Sequence, residues 1–461
     1  MSVTDSIFLF AETREHPMHV GSVQLFTPPA DAGPDYVADL YARMIGITDI
    51  DPLFRRRPGD PVSTLGHVWW SEDRDVDLEY HVRHSALPAP GRFRELFALV
   101  SRLHGTLLDR HRPLWEMYLI EGLEGGRFAW YSKIHHSLVD GVSALRLLQR
   151  TLSPDPDLAE PIAPWHLPRP DRAGSDGAAP SGSLLGTAGA LLGTARSLAD
   201  DVADAVPAAV RIGRLAVGPR KVALPYEAPR TMFNVPIGGA RRFAAQSWDR
   251  ERLARVRRAA DVSGNDVVLA MCAGALRAYL LEHDALPDDP LIAMVPVSLR
   301  PKDRPGDSGN SVGVTLCNLG TDRADPLDRL SVISDSMSQG KSLFGDMTAL
   351  QALAWSGFII SPLGLAPVPG FVRLTPPPFN IVISNVPGPR KPLYWMGSHL
   401  EGIYPTSIVM DGLALNITVT NTEKSVDFGV VGGRRAVPSL QRILVHLDES
   451  LVELEAALQL P

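Results

Sequence analysis

A long stretch without hydrophobic periodicity divides this chain and limits what it can fold into. Residues 153–183, SPDPDLAEPIAPWHLPRPDRAGSDGAAPSGS, are rich in Pro, Gly, Ala and Asp and predict an exposed linker. At roughly 100–200 residues per domain, 461 residues predict two domains. We expect an N-terminal domain over 1–182 that includes the linker, a helical connector over 183–237, and a C-terminal domain over 238–461.

Each half carries both strand and helix patterns, which predicts two layered α/β domains. In the first half, 20–26 predicts a strand, 35–47 and 93–107 predict helices, and 115–134 predicts a hairpin around a Gly-rich turn. In the second half we expect a helix capped by Ser247 and another with Asn265 as candidate N-cap. Strands are predicted at LIAMVPVSL, VGVTLCNL, FNIVISNV, LALNITVT and VDFGVVGG.

Charge and cysteine content narrow the class of protein. Lys and Arg number 45 against 52 Asp and Glu, a net charge of −7, which argues against a nucleic-acid partner. The two cysteines, Cys272 and Cys317, lie in apolar runs and are expected to be buried, reduced thiols. The N-terminus has no basic region typical of a secretory signal, and no unbroken apolar run reaches the roughly 18 residues of a membrane span.

Two adjacent histidines end the second strand of the predicted hairpin, in AWYSKIHHSLVDGVSAL (129–145). Because side chains alternate along a strand, His136 shares a face with Trp130 and Ile134, and His135 points to the other face. A given cavity can therefore receive one of the two, and His136 is our candidate. Asp140 and Gly141 begin a helix, which Asp140 is placed to cap.

Each of these residues has an ordinary structural explanation when taken alone. A single histidine is usually a satisfied core or surface residue, and an Asp at a helix start is usually a cap. The combined spacing H-H-x-x-x-D-G, however, should arise by chance on the order of a few times in a thousand such chains. Adjacent histidines on opposite faces are unsuited to chelating one metal ion, so we expect no metal.

The stretch HHSLVDG resembles the HHxxxDG signature of the CoA-dependent acyltransferase superfamily. Other segments are similar to the bacterial wax ester synthase/diacylglycerol acyltransferase family: the N-terminus MSVTDSIFLFAETREHPMHVGSVQLF, PLWEMYLIEGL, SGNDVVLAMCAGALR, VPVSLRP, GNSVG and SNVPGP. The resemblance covers the chain from end to end. It implies two chloramphenicol-acetyltransferase-like domains, mixed sheets flanked by helices, with a tunnel where they meet.

The resemblance also implies roles for particular residues. His136 is the expected general base, in a catalytic motif with His135, Asp140 and Gly141. Asp140 is expected to pair with an arginine, for which Arg300 is our candidate. The supporting residues fall in the shared motifs: Asn265, which hydrogen-bonds near the reacting groups or caps its helix, Asp266 and Asn385, and Pro113 and Trp115, expected to be structural.

The implied reaction esterifies diacylglycerol to triacylglycerol with acyl-CoA as co-substrate, with long-chain alcohols as further acceptors and no permanently bound cofactor. Candidate cations for the CoA phosphates are Arg241, Arg242, Arg390 and Lys391. The Ala/Leu/Gly-rich segments 184–195 and 348–367 can line an acyl groove or simply form core. We expect a cytoplasmic protein, with attachment to the inner membrane face or to lipid inclusions as an option.

Two other functions fit the same motif. A condensation-type enzyme that takes its acyl group from a carrier protein shares HHxxxDG, and a catalytically silent lipid-binding protein would keep the fold. The serine-hydrolase pattern G-x-S-x-G is matched by GNSVG (309–313). We reject it as a nucleophile elbow because a strand-like run, not a helix, follows the serine.

Overall fold

The computed structural model of the chain describes residues 3–59, 69–158, 162–166, 223–298, 312–345, 351–352, 355–356, 359–360 and 370–461. The helices are α1 Val3–Ala11, α2 Tyr36–Ile45, α3 Leu78–His81, α4 Phe93–His104, α5 Gly141–Gln149, α6 Arg250–Ala260, α7 Gly264–Glu282, α8 Pro326–Gly345, α9 Phe371–Leu374 and α10 Arg442–Ala457. The strands are β1 His19–Thr27, β2 Arg56–Pro58, β3 Trp70–Glu72, β4 Val82–Ala86, β5 Trp115–Glu121, β6 Phe128–His135, β7 Arg241–Asp249, β8 Ile292–Ser298, β9 Val312–Asn318, β10 Ile381–Val386, β11 Tyr394–Trp395, β12 Ser398–Thr406, β13 Leu415–Asn421 and β14 Ser425–Gly433.

Several predictions fall outside the described residues. These are most of the linker, residues 183–222 of the connector including the 184–195 segment, Arg300, and most of the 348–367 segment. The described end of the connector, residues 223–237, forms turns and irregular backbone.

The first sheet has six strands in the order β11-β12-β1-β6-β5-β4. The predicted hairpin is confirmed: β5 and β6 pair antiparallel, with Trp115 opposite Ile134. β6 also pairs antiparallel with β1, which places His19 opposite His135 at the end of both strands. The histidine motif therefore lies at one end of a pair of central strands.

The second sheet also has six strands, in the order β7-β14-β13-β10-β8-β9. β10 runs parallel to both β13 and β8, whereas the pairs β13/β14, β14/β7 and β8/β9 are antiparallel. Both sheets are mixed and are flanked by helices, so the predicted fold class is confirmed. The tunnel between the two halves stays a prediction.

The sheets do not follow the order of the chain. β11 and β12 belong to the first sheet, where β12 pairs antiparallel with β1, although residues 394–406 lie within the predicted C-terminal domain. Asp427 on β14 of the second sheet accepts the Ile403 backbone N–H of β12 at 2.8 Å. A strand from the second half of the chain thus completes the first sheet. A domain boundary at residue 237/238 does not account for this pairing.

The core of the second half is built around α7. Its residues from Asp266 to Leu276 are all buried, together with Tyr279 and Leu280, and they pack between the sheet and α10. Among the described residues, α7 is long and apolar enough to cross a membrane, but 72% of the relevant window is buried inside the protein, as in a core helix. Cys272 and Cys317 are buried free thiols in this half, as predicted.

Two predicted helix caps are wrong. Asp249, not Ser247, caps α6 and accepts the Glu251 N–H at 2.7 Å, because β7 continues through Ser247. The N-cap of α7 is Ser263 rather than Asn265, because Ser263 and Asp266 form a capping box.

An apolar cluster joins the two halves. It combines Tyr118 and Tyr131 of the first sheet with Phe243 and Val431 of the second. At its border the Phe243 N–H donates to Ser101 Oγ on α4 at 2.9 Å. The face of the first sheet that carries Tyr131 is therefore closed off from solvent by the second half.

Candidate active site

The end of β6 separates the two histidines. Along this strand Phe128, Trp130 and Ile134 belong to the cluster of the first half, and Ala129 and Tyr131 belong to the cluster between the halves. His135 is the last strand residue and is fully buried, whereas His136 follows the strand and is half-buried. The alternation predicted from the sequence is confirmed up to His135.

The His135 ring is hydrogen-bonded through Nδ1, and its Nε2 faces a carboxylate. Nδ1 accepts the Ser137 backbone N–H at 3.1 Å and lies 2.7 Å from Ser137 Oγ. Because a backbone N–H can only donate, Nδ1 is an acceptor and the ring proton is on Nε2. Nε2 lies 3.4 Å from Oε1 of Glu12, which is itself buried. This histidine is locked in one tautomer.

Glu12 connects His135 to the backbone that supports His136. Its Oε1 accepts the Met18 N–H at 3.2 Å, and the Met18 carbonyl accepts the His136 N–H at 2.9 Å. Oε2 binds the Arg110 guanidinium at 3.0 Å. Burial raises the pKa of Glu12, but the donors from His135 and Met18 and the charge of Arg110 outweigh it, so this pKa lies below its ordinary value of 4.5.

His136 has apolar surroundings on the face of its ring. The Phe8 ring of α1 stacks on it, with centroids 4.0 Å apart and planes 21° apart. Leu138, two residues on, packs against the cluster of Leu9, Leu108 and Leu114. Of the two histidines, His136 is the one with exposed surface.

Asp140 and Gly141 begin α5 as predicted. Asp140 is the N-cap: Oδ1 accepts the Ser143 N–H at 2.8 Å and Oδ2 accepts the Ser143 hydroxyl at 2.9 Å. Gly141 is the first residue of the helix. Because Arg300 lies outside the described residues, the pairing of Asp140 with Arg300 stays a prediction.

Two of the other candidate residues of the second half, Asn265 and Asn385, are hydrogen-bonded to each other. Asn385 Nδ2 on β10 donates to Asn265 Oδ1 on the first turn of α7 at 3.2 Å. Asp266 is buried and accepts the Ser263 N–H at 2.9 Å, so it serves the helix start rather than a substrate. The structure therefore joins Asn265 to Asn385 and sets Asp266 apart from them.

The asparagine pair and the histidine loop border the same apolar cluster. Val386, directly after Asn385, is buried in the cluster of the first half, and Leu138 and Val139 pack against that cluster. Two motifs that are about 250 residues apart in the sequence thus adjoin one part of the core.

Pro113 and Trp115 are structural, as the resemblance implies. Trp115 is fully buried, donates its ring N–H to the Phe54 carbonyl at 2.8 Å, and stacks on His81 with centroids 4.3 Å apart. The Pro113 carbonyl accepts the Trp115 N–H at 2.9 Å. Both hold the start of β5.

One of the four candidate cations is unsuited to a CoA phosphate. Arg241 is buried, and its guanidinium donates to the carbonyls of Glu15, Gly238 and Val409. Burial lowers the pKa of Arg241 to about 10, so it keeps its charge at neutral pH. Arg242, Arg390 and Lys391 are exposed. Arg241 therefore ties the two halves together.

Sequence reasoning missed Phe8 and Glu12. It used the N-terminal segment as a mark of resemblance and assigned no role to its side chains. Their spacing of four residues was the available signal, because it places two side chains on one face of a helix. Among the described residues there is no group of three or more His, Cys, Asp or Glu that could hold a metal ion. The strand Val312–Asn318 after Ser311 also fits our rejection of a nucleophile elbow.

Two mixed-sheet halves with the HHxxxDG histidines at their junction define an acyltransferase of the two-domain, chloramphenicol-acetyltransferase-like class. Comparisons with known proteins support this class. Residues 1–268 match the wax ester synthase/diacylglycerol acyltransferase catalytic domain, and residues 308–455 match the C-terminal domain of the same family. The chain belongs to the wax ester synthase/diacylglycerol acyltransferase family.

Individual relatives agree with the family match. The chain is 52% identical over 459 residues, 99% of both chains, to a probable diacylglycerol O-acyltransferase of Mycobacterium tuberculosis. It is 42% identical to the wax ester synthase/diacylglycerol acyltransferase of Marinobacter aquaeolei VT8, whose solved structure matches with a TM-score of 0.79 over 100% of this chain and 99% of that one. A starter condensation domain of rhizomide synthetase shares the fold, with a TM-score of 0.56, 14% identity, and coverage of 100% of this chain and 94% of that one.

Proposed function

We propose that the chain transfers an acyl group from acyl-CoA to the free hydroxyl of diacylglycerol and so forms triacylglycerol. The observation that carries the proposal is the contrast at the end of β6, where His136 is half-buried against an aromatic ring and His135 is fully buried, with Nδ1 hydrogen-bonded to Ser137 and Nε2 3.4 Å from Glu12. Of the two, His136 is the one able to gain and lose a proton in contact with a substrate.

The chemistry requires one proton to move. An alcohol is a weak nucleophile at neutral pH, and a histidine with an ordinary pKa near 6.5 is suited to remove its proton as the C–O bond forms. His136 takes that proton and returns it to the CoA sulfur as the C–S bond breaks. A thiol with a pKa of about 8.5 is a good leaving group, so the second transfer is the easier one. The reaction then needs no covalent enzyme intermediate.

The neighbours of His136 have supporting roles in this proposal. Asp140, as the N-cap of α5, fixes the loop that presents His136. The Asn265 and Asn385 amides supply hydrogen-bond donors that can face the developing oxyanion from the second half.

The donor and acceptor are proposed from the relatives. The Mycobacterium tuberculosis relative is named for diacylglycerol, and the Marinobacter aquaeolei relative for both wax ester synthesis and diacylglycerol. The condensation domain of similar fold was solved in complex with C8-CoA. Long-chain alcohols are accordingly the second acceptor class.

The experiment measures free CoA thiol released from palmitoyl-CoA by purified protein with no acceptor, with diacylglycerol, or with hexadecanol. We expect release that depends on an acceptor, is larger with diacylglycerol, and is lost in His136→Ala. Lipid extraction and mass spectrometry should find triacylglycerol in the same reactions. If no CoA thiol is released with either acceptor, the proposal is contradicted. Activity with palmitoyl loaded on a carrier protein would then favour a condensation-type donor, and inactivity with both would favour a silent lipid-binding protein.

A further inference from the structure

Helix α1 and the residue that follows it pack against the histidine loop. Phe8 stacks on the His136 ring, Leu9 is buried in the cluster that Leu138 packs against, and Glu12, just after the helix, faces His135. Phe10, by contrast, is 67% exposed. The helix therefore presents one side to the motif and the other to solvent.

The Phe8 ring restrains the orientation of the His136 imidazole. The His136 backbone is fixed by its N–H, which donates to the Met18 carbonyl at 2.9 Å. A parallel ring at 4.0 Å fixes the plane of the imidazole. It contacts the face of the ring, so it does not compete for the hydrogen bonds that the two nitrogens make in the ring plane.

We propose that Phe8 is a positioning residue for acyl transfer: its ring holds the imidazole of His136 in the plane from which one nitrogen reaches the acceptor hydroxyl. The inference rests on the proposed role of His136 as the base. A misplacement of about 1 Å between reacting groups can lower a rate about 100-fold, so loss of this ring should lower turnover strongly. Because the proposed role of Phe8 concerns the base and not the binding of the donor, the KM for palmitoyl-CoA should change little.

The chain offers matched variants for the test. Phe8→Leu keeps an apolar side chain of similar length without a flat ring, and Phe8→Tyr keeps the ring. Phe10→Ala changes a Phe of the same helix that points to solvent. We expect kcat to fall about 10- to 100-fold in Phe8→Leu with KM for palmitoyl-CoA within about twofold. Phe8→Tyr should retain most of the turnover, and Phe10→Ala all of it.

A spectroscopic measurement tests the stacking independently of activity. In protein labelled with ¹³C at histidine Cε1, the His136 signal, assigned by its absence in His136→Ala, should be displaced by the Phe8 ring current. The displacement should persist in Phe8→Tyr and disappear in Phe8→Leu. Circular dichroism and thermal unfolding establish that each variant is folded.

The outcomes separate this inference from the proposed function. Full kcat in a folded Phe8→Leu that has lost the ring-current displacement overturns the positioning role, with His136→Ala still inactive. An equal loss in Phe8→Tyr and Phe8→Leu also overturns it, because the ring would then not matter. Turnover by His136→Ala instead overturns the base assignment, and the positioning role with it.

Discussion

The side of the first sheet that buries His135 and the surroundings of His136 differ in chemistry. Behind His135 lie buried polar groups, including His19, His104 and Lys133. Lys133 Nζ is 3.1 Å from Glu116 Oε2, and His19 Nε2 is 2.8 Å from the His104 carbonyl. The ring of the half-buried His136, by contrast, stacks on the apolar ring of Phe8.

The difference teaches which histidine can work as a base. Buried polar groups that are hydrogen-bonded hold one protonation state, because changing it would leave a charge or an unpaired donor in a dry interior. A general base must accept a proton in every cycle, so the half-buried His136 suits this role better than the fully buried His135. Our proposed function accordingly assigns a structural role to His135 and a reactive one to His136.

The largest expected effect is that of His136→Ala on turnover. Removal of a general base should lower kcat by about 10²- to 10⁴-fold, while the melting temperature stays close to that of the wild type. Steady-state release of CoA thiol and thermal unfolding measure the two quantities. Wild-type turnover in the folded variant would place the base elsewhere.

His135→Ala should lower stability more, and turnover less, than His136→Ala does. It leaves a cavity and removes the donor that faces buried Glu12, so we expect the free energy of unfolding to fall by about 2–3 kcal/mol. Turnover per folded molecule should fall less than in His136→Ala.

His135→Gln is the matched control, because its amide can still donate towards Glu12 and should restore part of the stability. Urea unfolding compares the three proteins. Equal losses of turnover in the two alanine variants, with both folded, would mean that the assignment of structural and reactive histidine is wrong.

The buried histidines on the His135 side of the first sheet should also make the free energy of unfolding depend on pH. Burial lowers the pKa of His104 to about 3 and that of His19 well below its ordinary value of 6.5. In the unfolded chain both bind protons near pH 6.5, so the free energy of unfolding should fall as the pH drops below that value. The expected slope is about 1.4 kcal/mol per pH unit for each histidine.

The measurement is urea unfolding at intervals between pH 7 and pH 5. His104→Gln, which cannot titrate, should lower the slope by about 1.4 kcal/mol per pH unit. A stability that does not change over this range would mean that the two histidines are solvated or charged in the folded protein.

Glu12→Gln tests the carboxylate that joins the two sides. It removes the negative charge that Arg110, His135 and Met18 face, and should lower the free energy of unfolding by about 1–2 kcal/mol at pH 7. Because the folded pKa of Glu12 is depressed below 4.5, its contribution is present above that pH and is lost as the pH falls below it.

The stability difference between wild type and Glu12→Gln should therefore shrink below about pH 4.5, a window separate from that of the histidines. Chemical unfolding at pH 7, 5 and 4 measures it. A difference that stays constant down to pH 4 would contradict the ionised state assigned to Glu12.

The smallest effect is expected at the asparagine pair. The Asn385 amide is exposed and its bond to Asn265 is 3.2 Å long, so Asn385→Ala should leave stability within about 0.5 kcal/mol. If the pair faces the reacting groups, kcat/KM should fall about 2- to 10-fold. Asn265→Ala and the double variant complete a cycle, and an unchanged kcat/KM in all three would remove the pair from the site.

Much of the fold could be predicted from local patterns. The hairpin, the helix Phe93–His104 and the strands around Ile292, Ile381, Leu415 and Val426 follow from periodicity, which is a property of neighbouring residues. β12 was missed because Gly402 and Pro405 interrupt its pattern. In the sheet this strand carries a bulge opposite Leu25 and Phe26, and its pairing comes from a partner far away in sequence.

Part of the candidate site could likewise be predicted from local patterns, and part of it could not. The strand that ends at His135 and the helix start at Asp140 and Gly141 depend on the backbone of one segment and could be predicted. The face of His136 stays a prediction, because His136 follows the strand. Phe8 and Glu12 were not assigned, because their roles come from helix α1 packing on a strand end more than 100 residues later. Arg241 resembled an available cation until its burial against three carbonyls was visible.

The sequence by itself determined the family, the position of the histidine motif and the helix start that Asp140 caps, because strand periodicity and helix capping are local. The tertiary structure alone decided how each ring is held, which strand completes the first sheet, and which polar residues are buried together. These depend on contacts between distant segments, where desolvation and packing choose the partners, and no spacing in the chain encodes them.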